Sequence, residues 1–182
     1  MKDYRKRMKD AACVSLCTAL ISVCGALYLP AAVPVTMQSF AVIFALFLLG
    51  GKRGLAAVCV WVALGAFGAP VFSGFSGGAG VLFGMTGGYI MGFVLGAAAF
   101  FVLECFGASR GLCVVPVLPC AYLLGSLWIY IFYFDGTGLI SLCTVSILPY
   151  LVPDVLKLAF AIYLAKRLAP ILCINDVKGP KK

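Results

Sequence analysis

The sequence predicts an all-α membrane protein whose six transmembrane helices form one bundle with both termini in the cytoplasm. Of its 182 residues, 64% are hydrophobic and only 11% are charged, whereas soluble domains are about half apolar and a quarter charged. The mean hydropathy is +1.13. Apolar runs long enough to cross a bilayer alternate with short turns. We therefore predict a single multi-pass domain over residues 1–182 in the cell membrane, with cytoplasmic tails at 1–10 and 169–182.

The first predicted span covers residues 11–29 and follows a strongly charged head. A basic start before an apolar run resembles a signal peptide, but this run is longer than the usual 7–15 residues. We interpret it as a retained span. The other predicted spans cover residues 35–49, 55–69, 86–106, 112–132 and 147–168.

Prolines bear on two of these spans. Pro116 and Pro119 are expected to kink the fifth span. In the sixth, Pro153 suits the first position of a helix, which would put Asp154 in a first turn that favours an acidic residue.

The connections differ in character. GGKRG at 50–54 is predicted to form a tight basic turn, and Glu104 is expected to reach the membrane interface. Residues 70–85 are rich in glycine yet apolar and aromatic. Non-helical backbone at membrane depth must be buried in protein or line a cavity. We expect this loop to fold over or into the bundle. A second loop is predicted at residues 133–146.

Small residues recur at four-residue spacing in two spans, a pattern that lets helix backbones approach closely. In the fourth span and just before it they are Gly84, Gly88, Gly92 and Gly96, which we call the glycine ridge. We interpret the ridge as a packing surface, and it also offers a route to a homo-oligomer. In the first span they are Ala11, Ser15 and Ala19, which we call the small-residue stripe.

The positive residues test the topology. With the N-terminus inside, 13 of the 14 lysines and arginines fall on cytoplasmic segments or at the cytoplasmic end of the sixth span, and none falls on the outer loops. The remaining one, Lys157, lies within a span. This distribution follows the positive-inside rule, so the net charge of +8 reflects topology and does not indicate nucleic-acid binding.

The sequence lacks the residues that several classes of functional site require. The chain has no histidine, and its nine cysteines include no C-x-x-C pair, so no metal site and no disulfide framework is predicted. GFSGG at 74–78 matches G-x-S-x-G, but a serine hydrolase needs a base that is absent here. No Walker motif is present, so the chain cannot power transport with an ATPase of its own.

One charged pair lies inside the last apolar run. Asp154 and Lys157 are three residues apart and share a helix face. A charge at bilayer depth costs roughly 2.5–3.5 kcal/mol on insertion scales, and such pairs usually face a bundle interior or a watery cavity. We interpret the pair as the polar floor of a binding pocket. The alternative is a structural pair that fixes helix register.

Five segments in order resemble a known family. They are VPVTMQ at 33–38, GGKRG at 50–54, GAFGAPVF at 65–72, SGGAGVLFGMTGGY at 76–89 and PDVLK at 153–157. Together they resemble BioY, the biotin-binding S component of energy-coupling-factor (ECF) transporters. One departure is Met85, where the family usually has proline.

The resemblance implies a six-helix S-component fold that holds biotin near its outer face as a transported ligand, with no other cofactor. It also implies a membrane coupling subunit and two ATPase subunits as partners. A small-residue motif on the first helix would contact the coupling subunit, and the small-residue stripe is the candidate here.

The residue chemistry suits biotin, whose ureido ring has two N–H donors and a carbonyl. Asp154 can accept a ureido N–H, and Lys157 can donate to the carbonyl or to the carboxylate. The further candidate ligand residues are Gln38, Ser76, Gly78, Thr86 and Tyr89. Phe72, Phe75 and Phe83 could add aromatic walls, although packing in the core or against lipid explains aromatics equally well.

Two other functions compete with this one. A self-sufficient carrier of biotin or a similar small vitamin could act without ATPase subunits, as an oligomer formed through the glycine ridge. An intramembrane enzyme is a further alternative, but no histidine and no second acid beside Asp154 support it.

Overall fold

The computed structural model describes residues 2–29, 35–132 and 148–170. The second predicted loop, at 133–146, and the end of the C-terminal tail lie outside them. The helices are α1 (Lys2–Ala26), α2 (Gln38–Leu49), α3 (Gly51–Ala66), α4 (Ala79–Phe83), α5 (Gly87–Cys105), α6 (Arg110–Cys113), α7 (Val117–Phe132) and α8 (Leu148–Leu168). Two short strands, β1 (Tyr28–Leu29) and β2 (Val35–Thr36), pair antiparallel between α1 and α2.

Helix α2 occupies the centre of the fold. All of its residues are buried, and it packs against α1, α3 and α8. Its sequence, QSFAVIFALFLL, is apolar on every face after the first two residues, as expected for a helix surrounded by others. The two polar residues at its start are therefore fixed at one end of the bundle core.

The glycine ridge packs within the chain. A side chain at Gly88 would collide with Trp128, one at Gly92 with the backbone of Ala121, and one at Gly96 with Val117. These three glycines let α5 lie directly against α7, which confirms the packing interpretation. Because α7 covers Gly88, Gly92 and Gly96, these glycines are not open to a second copy of the chain.

Several helix ends differ from the predicted bounds. The basic head is helical, since α1 begins at Lys2. The turn at 50–54 shrinks to Gly50, whose φ of 80° favours glycine, and α3 starts at the next residue. Helix α8 begins at Leu148, so Pro153 lies inside the helix, and its assignment as the first helical residue is wrong. The predicted kink in the fifth span is found at Pro116, where α6 and α7 are separated, whereas Pro119 lies within the first turn of α7.

A polar cluster closes the end of the bundle where α2 stops. Glu104 accepts hydrogen bonds from the Gly51 amide at 2.6 Å and from Arg110 Nε at 2.8 Å. Arg110 is buried and donates through Nη1 to the Phe47 carbonyl at 3.1 Å. Glu104 thus lies at this end of the bundle with its side chain 28% exposed. It satisfies the first amide of α3 while its cation partner caps α2.

Among the described residues, three helical segments are long and apolar enough to cross a membrane: Asp3–Ala26, Gly87–Cys105 and Arg110–Phe132. Helices α2 and α3 are shorter, at 12 and 16 residues. The loop before α5 enters the bundle in part, as expected. Phe72 is buried, whereas Phe75 and Phe83 are exposed.

Candidate functional site

A partly open pocket lies at the end of the bundle where α2, α5 and α8 begin. Its cavity volume is about 70 Å³. Helices α2, α5, α7 and α8 supply most of the wall, and β2 and the loop before α5 supply the rest. The lining residues are Thr36, Gln38, Ser39, Ser73, Thr86, Tyr89, Ile90, Phe93, Leu118, Ala121, Tyr122, Tyr150, Asp154 and Lys157.

Asp154 is the centre of the polar wall. Its Oδ1 accepts hydrogen bonds from Ser39 Oγ at 2.9 Å and from Lys157 Nζ at 2.8 Å. Its Oδ2 accepts a hydrogen bond from the Tyr122 hydroxyl at 2.6 Å. Three donors on α2, α7 and α8 thus converge on one buried carboxylate. This convergence satisfies most of the carboxylate in the interior, where an unpaired charge would be costly.

Lys157 links the same carboxylate to the hairpin before α2. Its Nζ donates to the Thr36 carbonyl at 2.7 Å as well as to Asp154. An ammonium group has three N–H donors, so these two bonds leave one donor to face the pocket. Asp154 and Lys157 therefore form a pair beside a cavity, as the sequence predicted.

Gln38 presents a donor without a partner. The side chain is only 6% exposed, and its Nε2 is buried without a hydrogen-bond partner among the described residues. A buried amide that makes no hydrogen bond carries a free-energy cost of about 1–3 kcal/mol. A ligand acceptor placed against this amide would remove that cost.

Aromatic side chains give the pocket its apolar wall. Tyr89 and Phe93 stand one turn apart on α5. The ring of Tyr89 lies over Gly125 on α7, where any larger residue would collide with it. Thr86, the residue just before α5, lines the same wall.

Two candidate ligand residues lie elsewhere. Ser76 is absent from the wall, and its Oγ donates to the Ser73 carbonyl at 2.7 Å. Gly78 is also absent, and its amide donates to the Gly65 carbonyl at 2.7 Å. Of the aromatic candidates, Phe72 packs against Trp61, and the exposed Phe75 and Phe83 do not line the pocket. The residue of this loop that does line it is Ser73.

Sequence reasoning missed several polar residues of the wall: Thr36, Ser39, Ser73, Tyr122 and Tyr150. Ser39 follows Gln38 directly, so its position at the start of a buried helix was a usable signal. Tyr122 sits in an apolar run with no neighbouring polar residue. Only the packing of α7 against α5 brings it to Asp154.

The small-residue stripe lies away from the pocket. Ala11, Ser15 and Ala19 are all exposed, whereas Cys17 and Ile21 on the opposite face of α1 are buried. The stripe thus remains open to a neighbouring helix.

Comparisons with known proteins agree on one family. The family model described as "BioY family" matches residues 1–173. The "Probable biotin transporter BioY" of Pyrococcus horikoshii is 37% identical over 89% of this chain and 97% of its own length. The "Biotin transporter BioY" of Thermotoga maritima is 36% identical over 83% of this chain and 90% of its own.

A solved structure shares the fold. It is the S-component for biotin from an ECF-type ABC transporter, and the two chains superpose with a TM-score of 0.81. The match covers 90% of this chain and 92% of the other at 23% sequence identity. The arrangement of helices described above is therefore that of a membrane S component.

Proposed function

The chain belongs to the BioY family, and on that premise we propose that it is the substrate-binding membrane subunit of a biotin uptake transporter. It is an integral membrane protein of a transporter family, not an enzyme. In this proposal the chain captures biotin in the pocket at the start of α2, α5 and α8. An ATP-driven coupling module then allows delivery inward.

The proposal rests on the hydrogen-bond donors and acceptors in the pocket that have no partner among the described residues. A carboxylate has about four lone-pair sites, and three donors already occupy Asp154. One acceptor site therefore remains, beside one free donor of Lys157 and the amide of Gln38. A ureido group offers an N–H next to a carbonyl, so it can fill the acceptor and the donors at the same time.

The remaining wall suits the rest of the molecule. The thioether ring of biotin is apolar, and Tyr89, Ile90 and Phe93 provide an apolar surface beside the polar wall. Thr86 and Ser73 supply neutral hydroxyls on the loop side for further polar contacts. For Ser76 and Gly78 we propose no direct contact with the ligand, because both are bonded within the loop.

We extend the proposal to six spans with both termini in the cytoplasm. The Asp10–Arg53 ion pair, with 2.8 Å between its charged atoms, joins the starts of α1 and α3. This end also holds the Glu104–Arg110 cluster and is opposite to the pocket. Positive charge thus collects at the end away from the ligand, as the positive-inside rule requires of a pocket that opens outward.

The proposed partners are a membrane coupling subunit and ATPase subunits. The small-residue stripe supports this proposal, because three small exposed residues at four-residue spacing leave room for a helix from another chain. A homo-oligomer would need a surface other than the glycine ridge.

The proposal is tested by uptake into vesicles. The purified chain should bind biotin, and the small molecule that it retains through purification, identified by mass spectrometry, should be biotin or a close analogue. Vesicles that hold the chain alone should not accumulate biotin, and accumulation should begin when the coupling and ATPase subunits and ATP are added. Accumulation by the lone chain would instead favour the self-sufficient carrier, and absence of any biotin binding would contradict both.

A further inference from the structure

The loop between α3 and α4 reaches the pocket at one residue, Ser73. A small turn presents it. The Phe72 amide donates to the Ser76 carbonyl at 3.0 Å, and Ser76 Oγ donates to the Ser73 carbonyl at 2.7 Å. Gly74 and Phe75, the two residues between Ser73 and Ser76, both have positive φ, at 68° and 57°. A non-glycine residue in that region persists only where surrounding contacts hold it.

Those contacts come from α3. The side chain of Phe72 is 1% exposed, and its ring meets the ring of Trp61 edge-on with 5.2 Å between centroids. The same ring fills the space over Gly65, where even one added carbon would overlap it. Trp61 Nε1 also donates to the Val71 carbonyl at 3.0 Å. The chain is therefore fixed to α3 at the two residues just before Ser73.

The backbone of Phe72 is extended, with φ −93° and ψ −178°. In an extended chain, successive side chains point to opposite sides. When Phe72 points into the notch formed by Trp61 and Gly65, Ser73 must point away from α3, which is the side of the pocket. The packing of Phe72 against α3 thus sets the direction in which the Ser73 side chain points.

We infer that Phe72 is a positioning residue, which fixes Ser73 against the ligand by filling the notch on α3. The inference rests on the proposed function for the identity of that ligand. It assigns to Ser73 a hydrogen bond with a polar group of biotin, and to Ser76 the role of closing the turn.

The test is a double-mutant cycle on the full chain in detergent, with biotin affinity measured by calorimetry. Ser73→Ala is expected to weaken biotin binding about 2- to 10-fold, the range for one neutral hydrogen bond. Phe72→Ala should weaken it at least as much, and Phe72→Ala/Ser73→Ala should be no weaker than Phe72→Ala alone. Gly65→Ala should resemble Phe72→Ala because it displaces the ring, and Phe72→Leu in that background should restore part of the affinity.

The matched control is Phe100→Ala, which removes another fully buried ring that does not line the pocket. Its effect on affinity should be small, and it should add to that of Ser73→Ala. Additive effects of Phe72→Ala and Ser73→Ala, or unchanged affinity in Phe72→Ala, would overturn the inference.

A second readout does not depend on biotin. Amide hydrogen exchange of the segment around residues 71–76 should accelerate in Phe72→Ala and stay near wild type in Phe100→Ala. Equal exchange in wild type and Phe72→Ala would overturn the inference. Failure of the wild type to bind biotin would count against the proposed function, and hydrogen exchange would still decide whether Phe72 anchors the turn.

Discussion

At Asp154, hydrogen-bond donors from three helices meet on one carboxylate. The contrast between Asp154 and Gln38 explains how the pocket can be stable without ligand and still bind one. Ser39, Tyr122 and Lys157 nearly saturate the acid. Gln38 lies two residues from β2 and keeps a buried amide without a described partner. The acid is thus stabilised within the protein, whereas the amide is satisfied by the ligand in this account.

The variant Gln38→Met should therefore lower the affinity for biotin without lowering the stability of the fold. Removal of an unsatisfied buried amide in favour of an apolar group of similar size should leave the melting temperature unchanged or slightly higher. Biotin affinity should fall about 2- to 10-fold, because one hydrogen bond to the ligand is lost. Thermal unfolding and calorimetry on the same preparation measure both quantities.

Ser39→Ala serves as the opposite case, because Ser39 already bonds Asp154 in the described structure. That variant should lose stability as well as affinity. A Gln38→Met protein that melts several degrees lower with unchanged affinity would contradict the role assigned to the amide.

At the scale of elements, α2 is held at both ends by polar contacts although its body is apolar. Its first residues face the pocket. Its last carbonyls accept hydrogen bonds from Arg110, at Phe47, and from Arg53, at Leu49. Cations at a helix C-terminus also interact favourably with the helix dipole. These contacts fix α2 at both ends, so the pocket keeps its position relative to the opposite end of the bundle. The 12 residues of α2 span about 18 Å between the two ends.

Arg110→Met should destabilise the bundle by about 2–4 kcal/mol, because it leaves Glu104 partly buried without its cation and Phe47 without a donor. The double variant Glu104→Gln/Arg110→Met should lose less than the sum of the two single variants. The free energy of unfolding from a reversible denaturant titration measures both effects.

Arg53→Met is the matched control. Its ion pair with Asp10 is more exposed, with side-chain exposures of 24% and 37%, and its Nε also donates to the Leu49 carbonyl. The loss should therefore be about 1–2 kcal/mol, smaller than that of Arg110→Met. Equal losses for Arg53→Met and Arg110→Met would contradict the importance given to the buried cluster.

At the scale of the whole molecule, the two ends of the bundle have different chemistry. One end holds the pocket, and the other holds the Asp10–Arg53 and Glu104–Arg110 ion pairs and most of the described basic residues. The small-residue stripe lies exposed along α1. This separation predicts that coupling to partners can be lost without loss of ligand binding.

The triple variant Ala11→Leu/Ser15→Leu/Ala19→Leu tests that separation. Larger side chains should prevent close helix contact with a coupling subunit. ATP-driven uptake in vesicles with the coupling and ATPase subunits should fall at least about tenfold, and biotin affinity of the isolated chain should not change.

Ala56→Leu/Ala63→Leu, on exposed positions of α3, is the control for added bulk and should leave uptake near wild type. Uptake by the triple variant at the wild-type rate would contradict the role of the stripe.

Sequence reasoning reached this arrangement in part, for physical reasons that differ by residue. Asp154 and Lys157 could be identified from the sequence because a charge inside an apolar run is costly and usually marks a functional site. Tyr122 was not, since its role depends on how α7 crosses α5. The choice between Ser73 and Ser76 depended on two positive φ angles that composition does not encode. The pairing of Glu104 with Arg110 was not predicted, because the two residues are separated by the turn after α5.

The most direct test of the central claim is calorimetric titration of biotin into Asp154→Asn and Lys157→Met, with Asp10→Asn and Lys52→Met as controls that make the same chemical changes outside the pocket. Loss of a charge-assisted hydrogen bond should weaken binding about 10- to 100-fold in each pocket variant, and the controls should bind as the wild type does. Wild-type affinity in both Asp154→Asn and Lys157→Met would contradict the account.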